Sequence, residues 1–345
     1  MRTVQVFAGL MVLALALCAC RTITVQTTVF ADGSFIRTVI VKGDSVEVLK
    51  GDLPSPVDST WKATKEQDTA KAGGWVVTYT KDYENSSELN EEIAADTGAE
   101  LRPEHRVDIT SRYRFFYSYI EYRESYASDY PFSEVPYKDY FTAKEYRWAF
   151  GLPDNPVPAD TVRAKEVMTR IFTYIAISAA TSLEKSLNDA LRQADDSVRQ
   201  AFVVPAYGDS MKAYMAGWNL DSLEDFTDSI GSWAQEPLAV YLRGQCFKPV
   251  EEWDGKWKRF SDILGTMGYK NQVLMPGMLS SSNGDSVSGT LVSWNFDSFD
   301  CLIVDFEMKA ESRVTNIWAF VITGLVIAGG VVWLVRKKSL QAKGA

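Results

Sequence analysis

Nineteen consecutive residues near the C-terminus, Ile317 to Val335, carry no charge and a single hydroxyl, Thr323. At 1.5 Å per residue an α-helix of that length covers about 28 Å, close to the ~30 Å hydrocarbon core of a bilayer. Trp318 and Trp333 stand near its two ends, and Arg336, Lys337 and Lys338 follow at once. Aromatic residues favour the interface and basic residues the cytoplasmic side, so a transmembrane helix over 314–336 and a cytoplasmic tail over 337–345 are expected. Bacterial outer-membrane spans are barrels, and a helical span therefore implies the inner membrane. Gly324 and Ala328 form a small-xxx-small pair that permits close contact with a second helix. The competing reading of the apolar run is a buried core helix.

The other end has a shorter apolar run, Val6 to Leu17, too short to span but long enough for the core of a secretory signal. It closes on Leu17-Cys18-Ala19-Cys20, which resembles the lipobox of bacterial lipoproteins. The resemblance implies a signal peptide over 1–19 and acylation of the thiol matching the family's lipidated position, Cys20. A plain signal peptide or an uncleaved anchor is the alternative. Both ends are then consistent with a main domain in the periplasm of the inner membrane.

The chain carries a net charge of −9, and the part between the anchors lies near −14 once Arg2, Arg336, Lys337, Lys338 and Lys343 are set aside. An acidic surface repels phosphate backbones, so no nucleic-acid partner is expected. Apart from Cys18 and Cys20 the cysteines are Cys246 and Cys301. In an oxidising compartment they are expected to form a disulfide, two separate buried thiols being the alternative.

Residues 20–140 read as strand-rich. Arg21 to Phe30 and Phe35 to Val41 flank an Asp32-Gly33 turn, Val46 to Leu49 forms a short extended piece, and Trp75 to Tyr83 is a further strand. Ser87 to Ala95 reads as an acidic helix capped by Ser86 or Ser87. Val107, Ile109, Tyr113, Phe115, Tyr117 and Tyr119 alternate with polar residues and predict one continuous strand. On its wet face Arg112 and Arg114 are expected to pair with acidic neighbours on adjacent strands, holding an anionic ligand head being the alternative.

Residues 141–265 form a helical block. In it Val167, Ile171, Ile175, Ala179, Leu183, Leu187 and Leu191 recur every four residues, predicting a helix from about Asp160 to Asp195. Extended structure returns over 266–313, with turns at Pro276-Gly277 and Asn283-Gly284 and strands at Gln272 to Met275, Leu291 to Phe296 and Leu302 to Met308. The expected fold class is α+β: an antiparallel β-sheet built from N- and C-terminal strands, a large helical insertion and one C-terminal transmembrane helix.

The segments Met275-Pro276-Gly277, Ser282-Asn283-Gly284, Gly289-Thr290 and Trp294-Asn295-Phe296, followed by a membrane helix, resemble the close of LppM-like envelope lipoproteins. The resemblance implies an antiparallel sheet packed with helices around an apolar ligand, and a role in envelope lipid or glycolipid handling. The long helical block departs from that pattern, and no binding residue carries over.

Catalytic signatures are scarce. His105 is the single histidine, and no Gly-x-Ser-x-Gly elbow is present. Gly208-Asp209-Ser210 is similar to the nucleophile block of GDS-type lipases, but it lies mid-chain with no later histidine, and a helix cap accounts for Ser210. One histidine is too few for a zinc site, and no phosphate-cradling Gly-rich loop ending in Lys-Ser/Thr occurs. No catalytic residue, metal or cofactor is expected. Asp-Ser or Asp-Thr followed by Val, Ile, Leu, Met, Ala or Thr recurs, as at Asp44-Ser45-Val46, Asp58-Ser59-Thr60 and Asp285-Ser286-Val287. This is similar to an O-glycosylation acceptor motif of some Gram-negative envelopes, and it equally serves turns and caps.

Aromatic density from Tyr113 to Phe150 suits core packing, a ligand pocket or a membrane interface. Tyr113, Phe115, Tyr117, Tyr119, Trp218 and Trp233 are the candidate ligand-facing residues. The expected function is a membrane-anchored periplasmic lipoprotein that binds an apolar envelope lipid or glycolipid, or a protein partner, without catalysis. A scaffold subunit of an inner-membrane complex and a carboxylate-based hydrolase are the alternatives.

Overall fold

The structure, a computed structural model, describes residues 21–49, 53–69, 73–96, 104–150, 161–192, 247–264 and 268–343. Among them the chain is α+β, with eleven strands in two sheets and five helices. Strands β1 (Thr22–Val29) and β2 (Phe35–Gly43) pair antiparallel from Thr22↔Lys42 to Val29↔Phe35. Their turn works as its residue types require, because Asp32 Oδ1 accepts the Ser34 amide at 3.0 Å and Gly33 takes φ 93°. The expected extended piece after them is instead a short 3-10 turn, Glu47–Leu49.

Strand β3 (Lys62–Gln67) has no apolar alternation, its side chains are all exposed, and the sequence reading missed it. It lies at a sheet edge beside β4 (Trp75–Tyr83), where Lys and Glu side chains discourage further pairing. Helix α1 (Ser86–Ala95) is capped one residue earlier than expected, by Asn85, whose side chain accepts from the amides of Ser87 and Glu88.

The continuous strand expected through residues 107–119 is two strands, β5 (His105–Tyr113) and β6 (Tyr117–Tyr126), folded back on each other as a hairpin. After α2 (Ala143–Phe150), α3 (Thr161–Arg192) and α4 (Phe247–Leu264) come β7 (Tyr269–Leu274), β8 (Met278–Ser282), β9 (Ser286–Ser288) and β10 (Leu291–Phe296). The last strand, expected at Leu302 to Met308, is β11 (Phe306–Thr315), and only Asn316 separates it from α5 (Ile317–Lys343).

N- and C-terminal strands do share a sheet, in the order β3-β4-β2-β1-β7-β10-β9, in which the β1–β7 pair is parallel and the others antiparallel. A second, antiparallel sheet of order β5-β6-β11-β8 was not expected as a separate layer. The two sheets bury one apolar core, with Val25, Val39, Val77 and Trp294 from the first and Val107, Ile120, Tyr122 and Met308 from the second.

A second core belongs to the helices. Val167, Ile171, Ala179 and Leu183 of α3 face Trp253 and Phe260 of α4, and this cluster continues into Phe132, Phe141, Tyr146 and the Leu302–Ile303–Val304 stretch before β11. From Val167 to Leu183 the four-residue spacing on α3 is a buried stripe with Ile175 half-buried, Leu187 and Leu191 lie outside the described side chains, and the dense aromatics at Phe132, Phe141 and Tyr146 are core.

The two ends of the sandwich are distinguishable. β7 starts at Tyr269, whose hydroxyl bonds to Tyr126 at the far end of β6, and the chain leaving β7 turns at Gly277 against Arg313, three residues before Asn316. Because β1 runs parallel to β7, its first residue, Thr22, lies at the end of the sandwich remote from α5.

Candidate membrane-facing site

The apolar window Ile317–Leu334 of α5 has a mean hydropathy of 2.3 and is 6 % buried. It is long and apolar enough to cross a membrane, and its exposure separates it from the core helix of a soluble fold. Its root is where the second sheet touches it.

Asn316 makes the junction. Its Nδ2 donates to the carbonyl oxygens of Arg114 at 2.7 Å and Phe115 at 3.3 Å, its amide donates to Phe116 O at 2.9 Å, and its Oδ1 accepts from Ser118 Oγ at 3.2 Å. Together with the Arg114 N to Tyr117 O bond at 2.8 Å, these satisfy a tight β5–β6 turn that has no Gly, Pro, Asn or Asp of its own. Ring contacts complete it. Tyr113 stacks on Trp318 with centroids 6.3 Å apart, Phe115 meets Trp318 edge-on at 5.4 Å, and Phe116 and Tyr117 lie 4.9 and 6.0 Å from Phe320. At about 100° per residue Trp318 and Phe320 point to nearly opposite sides of the helix, so the hairpin tip straddles it. Ala319 between them is fully buried.

Of the expected ligand-facing residues, Tyr113 and Phe115 are thus exposed at the helix root. Tyr117 and Tyr119 are not on one face with Tyr113, as an uninterrupted strand would require, because the turn reverses the chain between them. Their face is the outer one. Arg112, Tyr119, Arg313 and Met278 stand in register across β5, β6, β11 and β8, and Arg114 lies opposite Tyr117 at the turn. Trp218 and Trp233 lie outside the described residues, as do Cys20, Gly208, Asp209 and Ser210.

Charge on this face is graded along the strands. Glu121 receives Arg123 at 2.8 Å, Lys309 at 3.2 Å and Arg112 at 3.7 Å, while Arg112 also reaches Glu311 at 3.5 Å. The Arg123 hydrogen bond, outweighing a burial penalty, holds the Glu121 carboxyl below its ordinary range. Arg112 is therefore paired, as expected. Arg114 has no ion pair among the described residues, and Arg313 lies over the Tyr117 ring at 5.4 Å with no acidic partner among them.

Sequence reasoning missed a second polar feature, inside the sandwich. Arg37 on β2 and Glu124 on β6 form an ion pair of 2.8 Å with both side chains 0 % exposed. Arg37 also donates to Ser55 at 3.0 Å and Thr27 at 3.4 Å, and Glu124 accepts from Tyr122, from Tyr126 at 2.9 Å and from Asn271 at 2.6 Å. Burial pushes the Glu124 carboxyl up, but the charges of Arg37 and His105 and the bonds from Arg37 and Tyr122 overcome it, leaving it at about 2. His105 is itself buried and stacked on Tyr126 at 5.2 Å, which places it in this network. The arrangement joins the two sheets and exposes no reacting atom.

A third polar group sits before β11. Asp300 is buried, and burial first, then the nearby Asp297 charge, raise its carboxyl to about 8. Next to it Cys301 is buried and has no disulfide partner among the described residues; burial and the Asp300 charge push its thiol to about 12. Its expected partner Cys246 lies outside the described residues, and the pairing stays an expectation. No group of three or more His, Cys, Asp or Glu with metal-holding geometry occurs among the described residues. At Asp44 and Asp58 the Asp-Ser motifs form turns, the carboxylates accepting the amides of Val46 at 3.0 Å and Thr60 at 2.8 Å.

No family model matches the sequence, and no curated protein matches it. Among solved structures, the folded domain of LppM from Mycobacterium tuberculosis, determined by NMR, is similar at 10 % identity over 86 % of this chain and 91 % of that one, with a TM-score of 0.28. At that score the likeness neither fixes the fold nor carries over a role.

Proposed function

We propose that the chain is an envelope lipoprotein that crosses the bacterial inner membrane once through α5, with the sandwich and helical block in the periplasm, and that binds an apolar envelope lipid, glycolipid or protein partner at the membrane surface. The observation that carries this reading is the Asn316 junction, where an exposed aromatic hairpin is fastened to the first turn of an exposed apolar helix. Tyr and Trp rings concentrate at membrane interfaces, and a sheet bonded to the helix root without a linker is held at that level. Binding is preferred to catalysis because this exposed surface is aromatic and basic, whereas the strongly perturbed carboxylates of Glu124 and Asp300 are enclosed in the fold.

Topology is tested with reporter fusions after Lys343: activity of a cytoplasmic reporter supports the reading, and activity of a periplasmic one rejects it. Acylation is read separately, by palmitate labelling of the wild type and of Cys20→Ala. The variant is expected to lose label and stay in the membrane, since α5 alone spans. For the ligand, the full chain extracted with its lipids is analysed by native mass spectrometry. Bound envelope lipid supports the lipid version, while empty protein with a stoichiometric crosslinked partner in native membranes supports the protein version.

A further inference from the structure

The geometry points to a binding site for the phosphate of an anionic phospholipid, formed by Arg114 and Arg313 on the outer face of the second sheet above the Phe115–Phe116 tip. It rests on the reading of α5 as a span. Arg313 precedes Ile317 by four residues, at most about 13 Å of strand, and the headgroup layer on one side of a bilayer is about 5–7 Å thick. The Arg313 guanidinium lies 5.4 Å from the ring of Tyr117, the register partner of Thr315, and so reaches from its own row toward the helix root. Arg114 is nearer still, in the turn whose neighbours pack on Trp318 and Phe320.

Charge selects the occupant. The row of Glu121 and Glu311 lies one step farther from α5 and is engaged by Arg112, Arg123 and Lys309. The end nearest the helix keeps two guanidinium groups without a carboxylate partner among the described residues, beside the exposed Met278 and the Tyr117 ring. A guanidinium presents paired donors that match phosphate oxygens, and the apolar rims suit the upper acyl region. The lipid is one of the same leaflet that α5 enters, since the aromatic tip and the helix root form one continuous exposed surface.

The test uses the full chain in nanodiscs of phosphatidylcholine containing a minor share of phosphatidylglycerol, with retained lipid counted by native mass spectrometry. The wild type is expected to retain phosphatidylglycerol in preference to phosphatidylcholine, and Arg114→Gln with Arg313→Gln to lose about fivefold of that preference per arginine. Lys62→Gln, on the exposed edge strand, is expected to leave it unchanged. A wild type that resists alkaline carbonate extraction yet shows no phosphatidylglycerol preference overturns the site and leaves the span standing. An unchanged preference in the double variant also overturns it, whereas extraction by carbonate removes the anchoring reading itself.

Discussion

Asn316 Nδ2 lies 2.7 Å from the carbonyl oxygen of Arg114, a residue 202 positions earlier in the chain. A single amide thus ties the exposed apolar helix to the tip of a hairpin that has no turn-forming residue of its own.

Asn316→Ala removes two carbonyl contacts and the Ser118 bond, while the backbone bond to Phe116 survives. At about 0.5–1.5 kcal/mol net per bond, local stability at the tip is expected to fall by about 1.5–4.5 kcal/mol. Amide exchange over 113–118 should speed up by about tenfold or more, with β1 and β2 unaffected. Unaltered exchange at the tip would show that ring stacking alone holds the hairpin.

Glu124→Gln leaves the Arg37 guanidinium buried without its counter-charge, and such a loss costs about 3–5 kcal/mol. The wild-type carboxyl lies below its ordinary 4.5, at about 2, so its contribution is complete above 4.5 and disappears as pH falls from there towards 2. Denaturant titrations at pH 7 and pH 3 are expected to separate wild type from variant widely at the first and less at the second. Equal separation at both would contradict the assignment.

Asp300 has the opposite sign. Its folded carboxyl lies at about 8, above the ordinary 3.8, so the folded state holds a proton that the unfolded state has released between those values. Stability from this group is full below 3.8 and declines as pH rises to 8. Asp300→Asn should flatten that decline and be more stable than wild type at pH 8, as thermal melts at pH 5 and pH 8 would reveal.

Gly277 turns the chain from β7 towards β8 with φ 72°, and a Cβ there would lie 2.3 Å from the Arg313 carbonyl oxygen. Gly277→Ala combines the left-handed penalty of about 1–2 kcal/mol with a backbone clash that no side-chain motion relieves. A melting point lower by several degrees is expected, with a larger drop than for Gly289→Ala, where φ is positive but the space is open. Equal drops would mean that the turn relaxes.

Much of this architecture is readable from side-chain periodicity. β1, β2 and β4 alternate, α3 repeats every four residues, and α5 is apolar over Ile317–Leu334, so each announces the surface it buries or exposes. β3 escaped because an edge strand with both faces wet leaves no apolar trace. The hairpin escaped because Tyr113, Phe115 and Tyr117 keep the same parity through the turn, and the residue that satisfies the turn is remote in sequence. A signal for the buried ion pair was present. Arg37 shares parity with Phe35, Val39 and Val41, and Glu124 with Ile120, Tyr122 and Tyr126, one charge on the apolar face of each strand. Register between two sheets is what placed those charges together, and periodicity within a strand does not encode it.

The parallel pairing of β1 with β7 has a mechanical cost for any lipid attached just ahead of Thr22. The eight residues of β1 measure about 26 Å along the strand. Where α5 spans a membrane and the strands stand upright on it, a fatty tail on Cys20 would have to descend about that far to reach the leaflet that α5 enters, and only Arg21 stands between Cys20 and β1 in the sequence. With β1 zipped to β2 and β7 that reach is gained by laying the strands along the bilayer, whereas with the strands upright it is gained by unzipping β1, which takes Thr27 away from Arg37. Sinking both tethers in one leaflet therefore selects either a reclining sandwich or one that has come apart along its central strand.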